Sequence, residues 1–170
     1  MSTQQNDLQE LLSTAAAERL ALIQRHEAGA RVVSHYDFNN TYQYVISREE
    51  THLSWLQSAL AELGTSLPAA AAAIPVPAIP KRGKKLDPAI FRNILEDEAG
   101  GLQRFIDRWR PRVAAMSHAR HRNMLNVILG ESAEHRRLFE QASAGFEDVL
   151  GKQTDGAARV GEVLPDRWQE

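Results

Sequence analysis

Apolar residues recur at three- and four-residue spacing over four stretches of the chain, and β-branched and aromatic residues nowhere alternate long enough to read as a strand. The pattern predicts an all-α protein of four helices. The first opens near Asp7, which caps it with Glu10 three residues on, and runs to about Gly29. The second starts at Ser34 and stops at Gly64, a residue suited to the left-handed closing position. The third opens with Asp87 and Pro88 and ends around Pro111, and the fourth runs from Ser117 through Phe139 to about Leu150.

The inward stripes of these helices are unusual in what interrupts them. The first reads Leu8, Leu11, Ala15, Glu18, Leu22, and the second Tyr42, Val45, Glu49, His52, Leu56. The third reads Leu95, Glu98, Leu102, Phe105, Trp109, and the fourth Met124, Ile128, Glu131, His135, Leu138. Every stripe carries a carboxylate, and two carry a histidine as well. If each hairpin folds back at its turn, Glu18 lies level with Glu49 and Glu98 level with Glu131. Four carboxylates and two imidazoles then converge at mid-bundle. Burying such carboxylates unpaired is prohibitive, and one or two divalent cations would neutralise them. Mixed carboxylate and imidazole donors suit iron or manganese better than calcium, and lack the thiolates of most structural zinc sites.

Between the second and third helices, residues 65–86 hold four of the seven prolines and the basic run Lys81-Arg82-Gly83-Lys84-Lys85, read as a solvated loop. Connections in helical bundles usually take 2–8 residues, so about 22 requires a reason. A helix of about 30 residues is about 45 Å long, and 22 extended residues reach about 68 Å. The segment can cross the whole bundle, joining two hairpins of which neither could bury its apolar face alone. An internal repeat agrees with two related hairpins: Ser34-His35 with Ser117-His118, Asn40 with Asn123 and His52 with His135 share one offset of 83 residues.

At this point the sequence resembles the ferritin-like superfamily of bacterioferritins and rubrerythrins over residues 7 to about 147. Its most specific element is REETHLSWL, where Glu49-Glu50-Thr51-His52 matches the family's Glu-x-x-His motif. The resemblance implies a four-helix bundle of two antiparallel hairpins with a long crossover between the second and third helices. It implies a di-iron or di-manganese centre on Glu18, Glu49, His52, Glu98, Glu131 and His135, with Glu96 competing for the place of Glu98 and Glu27 for that of Glu18. Redox chemistry with dioxygen or peroxide, or iron handling, would follow. The fourth helix departs from the motif: ILGESAEHRRLF places Ser132, not glutamate, three residues before His135, with Glu131 four before it. A dinuclear centre with shifted phase, a mononuclear site, and a metal-free bundle acting as a scaffold or interaction protein all remain open.

Composition narrows the class further. The chain of 170 residues has no cysteine, six histidines, and 22 acidic against 20 basic side chains, for a net charge of −2. Disulfides, zinc-thiolate sites and cysteine nucleophiles are excluded, and the balanced charge gives no electrostatic reason to expect nucleic acid. With no signal-like or membrane-spanning stretch, a cytoplasmic location is expected, with a homodimer or higher homo-oligomer as the assembly. Residues 1–150 are read as one domain and 151–170 as a mobile tail. His26, His35, His118 and His121 are expected at the surface or in turns, and Tyr42, Tyr44, Trp55 and Trp109 in core packing.

Overall fold

The computed structural model describes residues 3–76, 91–146 and 149–151. Four helices make up the fold, and no strand occurs among the described residues: α1 (Thr3–Val32), α2 (Tyr36–Glu62), α3 (Arg92–Ala114) and α4 (Ala119–Ser143). No helix among them is long and apolar enough to cross a membrane.

Local chemistry explains where the helices stop. After α2, Gly64 takes a φ of 75°, its N–H donates to the Ala61 carbonyl, and the Thr65 N–H reaches back to Leu60. These are the paired bonds of a Schellman ending, and they place the stop at the glycine that the sequence singles out. The same device at Gly145, with a φ of 90°, closes α4 at Ser143, short of the expected Leu150. α1 begins before Asp7 and runs past Gly29 to Val32. There the Asn39 side-chain amide donates to the carbonyls of Ala30 and Val33, capping α1 from the start of α2. Pro111 lies inside the last turn of α3, where it forfeits one backbone bond without ending the helix. The expected opening of the third helix at Asp87-Pro88, the basic run and the tail from residue 152 lie outside the described residues.

α1 packs on α2 and α3 on α4, and the pairs α1/α3 and α2/α4 close the bundle. Side-chain pairs give the directions. Arg25 meets Asp97 and Glu18 meets Trp109, so α1 and α3 are antiparallel. Glu62 meets Arg120 and Arg48 meets Glu131, so α2 and α4 are antiparallel. With α1 and α2 folded back through a three-residue turn, α2 and α3 run parallel, as a lengthwise connection requires. The described part of that connection lies along the bundle: the Ala71 N–H donates to the Ala17 carbonyl at mid-α1, and Leu67 and Ile74 pack against the core.

The core is apolar at both ends, with Leu12, Tyr42, Leu56, Leu60, Leu95, Leu102, Ile106, Trp109 and Phe139 buried. Of the aromatics expected there, Tyr44 is 46% exposed instead. Gly29 sets the helix spacing at the other end. A Cβ built on it would fall 2.6 Å from Glu98 Oε1 and 2.7 Å from the Tyr42 hydroxyl. Gly130, mid-α4, has nothing within 4 Å of such a Cβ. Glycine-to-alanine in a helix interior normally stabilises by about 1 kcal/mol. Gly130→Ala is therefore expected to raise the urea midpoint, whereas Gly29→Ala lowers it. A midpoint raised by both would mean that Tyr42 and Glu98 do not press on Gly29.

Candidate functional site

α1 controls the bundle centre through two residues one helical phase away from Glu18. Arg19 is fully buried, with Nη1 2.7 Å from Glu49 Oε1 on α2. Its Nη2 donates to Ser132 Oγ on α4 at 2.7 Å, and its guanidinium lies 4.3 Å from the centre of the Phe105 ring on α3. Two turns on, His26 is also fully buried. Its Nδ1 lies 2.9 Å from Glu98 Oε2, its Nε2 lies 3.5 Å from Glu49 Oε2, and its ring stacks on Phe139. Each of these side chains touches all three other helices.

Around this pair the charges are matched. Glu98 accepts a hydrogen bond from the Tyr42 hydroxyl at 3.0 Å and faces Arg25, which donates to Asp97. Glu49 also meets His135 Nδ1 at 3.3 Å. Arg19, Arg25 and a protonated His26 then stand against the buried Glu49 and Glu98, with the half-exposed Asp97 meeting Arg25 at the edge.

The six sequence-derived positions divide. Glu49, His52, Glu98 and His135 are buried at the centre. Glu18 is not: it turns sideways to accept hydrogen bonds from Trp109 Nε1 at 2.8 Å and Arg108 at 2.9 Å. Glu131 lies at the rim, 29% exposed, held by Arg48 at 2.7 Å with His52 Nε2 at 3.0 Å. Its neighbour Ser132 takes the inward position. Both displacements are one residue, about 100° of helix rotation. The competing Glu27 pairs with Arg31 on the surface. The expectation for His26 and His121 as surface or turn residues is corrected, since both are buried. His26 was accessible to pattern reasoning, because it continues the α1 stripe four residues beyond Leu22.

As a metal centre the arrangement fits poorly. The donors divide between centre and rim, a guanidinium sits against Glu49, and among the described residues no group of three or more His, Asp or Glu side chains is disposed to hold an ion. What it holds is a set of buried ionisable groups whose protonation is fixed by their neighbours. Burial alone would lower the pKa of His26, but the charge of Glu49 and the contacts to both carboxylates prevail and hold it up at about 9. For His52, burial and then the Arg19 charge dominate, pressing it down to about 4 against the pull of Glu131. Burial works against ionisation of Glu49, yet Arg19 and His26 hold its carboxyl well below the usual range. Burial, with Glu98 beside it, pushes the Tyr42 phenol up.

Comparisons with protein-family models, with curated proteins and with solved structures find no match for this chain.

Two opposed pH limbs follow. A histidine in the unfolded chain titrates near 6.5, so the contribution of His26 is fully present below that pH and is lost as pH rises through about 9. His52 is neutral in the fold, so its contribution is present above pH 6.5 and lost as pH falls towards about 4. Stability should peak near neutrality. Between pH 6.5 and 9, urea unfolding of the wild type should lose about 3 kcal/mol, and that limb should flatten in His26→Gln. A wild type of constant stability over this range would mean that His26 is uncharged.

Proposed function

We propose that this chain is a ferritin-like four-helix bundle whose centre is closed by its own guanidinium, and that it works as a binding or interaction module with no metal at that centre. The observation that carries the reading is Arg19, fully buried, 2.7 Å from Glu49 Oε1 and 2.7 Å from Ser132 Oγ. In the ferritin-like arrangement two cations compensate the inward carboxylates. Here Arg19, with Arg25 and His26, supplies that positive charge from within the chain, and Ser132 stands where a further carboxylate would be needed.

The parallel α2 and α3, with Ala71 bonded to Ala17 and Leu67 and Ile74 packed against the core, support the ferritin-like topology. An interaction role is supported by large apolar side chains left exposed where α2 begins and α4 ends: Tyr36 is 76% exposed and Phe146 56%. A second copy of the chain is the partner that this reading favours.

One observation favours a second reading, a mononuclear iron or manganese site between His26 and Glu49. Glu49 Oε2 and His26 Nε2 lie 3.5 Å apart, both buried, and neither makes a hydrogen bond. Metal analysis decides between the two. Protein purified without chelator and incubated with Fe(II) or Mn(II) should keep less than about 0.2 equivalents of either metal, with its melting temperature unmoved by chelator. One or two retained equivalents, lost in Glu49→Ala and accompanied by a raised melting temperature, would overturn the reading.

The guanidinium has a separate test. Removing one partner of a buried ion pair costs about 3–5 kcal/mol, whereas replacing both with apolar groups is often close to neutral. Arg19→Leu is expected to lose that amount in urea unfolding, and the double variant Arg19→Leu/Glu49→Leu to recover most of it. A single variant as stable as the wild type would remove Arg19 from its central role.

A further inference from the structure

At the opposite end of the bundle from Gly29, the first turns of α1 and the last turns of α2 and α3 surround an open cleft of 760 Å³. That volume is in the range of sites that hold small organic ligands. The floor is apolar: Leu8, Leu11 and Leu63 are half-buried and pack against the core, and Met116 is buried. Two charged side chains, Asp7 and Arg112, line the same cleft. Among the described residues neither has an ion-pair partner, and they do not pair with each other.

Local structure leaves both charges available. α1 already runs from Thr3, so Asp7 lies in its second turn instead of capping it. Arg112, in the last turn of α3, holds its guanidinium 5.2 Å from the centre of the Trp109 ring. Stacking of that kind engages the face of the guanidinium and leaves its in-plane N–H donors for a carboxylate. The spacing of the two charges sets the length of a ligand that reaches both. Trp109 meets Glu18 across the antiparallel α1 and α3, so Arg112 stands level with Ala15, eight residues along α1 from Asp7. Eight helical residues are about 12 Å, and Leu8 and Leu11 occupy the interval. A free amino acid is too short to span it. An extended chain, at about 3.3 Å per residue, covers it in three or four residues.

We propose that this cleft binds a short apolar peptide with free ends, three or four residues long. Its ammonium meets Asp7, its carboxylate meets Arg112, and its side chains cover Leu8, Leu11, Leu63 and Met116. Opposite charges at the two ends fix the direction of the peptide, and the apolar floor selects its side chains. The site is independent of the bundle centre and of the reading proposed for it.

Calorimetric titration of the untagged full chain with trileucine at pH 7, paired with methyl resonances of the labelled methionines, tests this. One saturable equivalent is expected. The Met116 methyl should shift, while that of Met124, which lines a different cleft beside Trp55, should not. N-acetyl-trileucine, lacking the ammonium, and trileucine amide, lacking the carboxylate, should each bind about tenfold more weakly. Asp7→Asn should abolish the preference for the free ammonium, and Arg112→Gln the preference for the free carboxylate. Both are exposed changes, and Arg31→Gln, on the surface at the other end of α1, should leave both preferences intact. Absence of saturable binding, binding indifferent to either free end, or a Met116 methyl that stays in place would overturn the assignment.

Discussion

A single buried guanidinium fixes what the rest of the bundle can be. Arg19 leaves α1 and touches α2 through Glu49, α4 through Ser132 and α3 through the face of Phe105. An arginine cannot be deprotonated inside a protein, so once it is enclosed the interior must hold a carboxylate beside it. Glu49 answers that demand, and its position brings His26 and His135 within reach of the same carboxylate. The polarity of the bundle centre therefore follows from one residue and propagates through its partners.

His26 makes the second set of contacts and gives the network its direction. It binds Glu98 on α3 and stacks on Phe139 of α4, and Glu98 is in turn fixed by the Tyr42 hydroxyl. The bare backbone of Gly29 admits this group, because any side chain there would occupy the space of Tyr42 and Glu98. Neutral His52, by contrast, faces the rim, where Arg48 already compensates Glu131. Burial, and then the charge of Arg19, keep His52 neutral, whereas Glu49 and Glu98 outweigh burial at His26 and keep it charged.

Much of the frame was legible in the sequence, for reasons that can be named. Gly64 announced the end of α2 because only a left-handed closing residue makes the observed pair of bonds there. The long Pro-rich connection implied a parallel α2 and α3, and the side-chain pairs run that way. The burial of Glu49, His52, Glu98 and His135 followed from helical phase. Phase failed at Glu18 and Glu131, since each has a polar neighbour one residue on, Arg19 and Ser132, and hydropathy cannot choose between adjacent polar side chains. Choosing the carboxylate each time composed a metal centre from two residues that the fold turns aside. The inward arginine carried no family signal, and its role becomes visible only when the partners on three helices are placed together.

The distribution of these charges between the two hairpins bears on how the halves meet. The α1–α2 hairpin brings Arg19 and Arg25 against one buried carboxylate, Glu49, whereas the α3–α4 hairpin brings Asp97 and Glu98. Two copies of the first hairpin, facing each other, would crowd cations with too few anions between them. A hairpin waiting for its partner during synthesis therefore has a reason not to pair with itself or with the same hairpin of another chain. Similar as the two halves are in their apolar pattern, the charge on their joining faces makes them unlike, and so selects the intramolecular match.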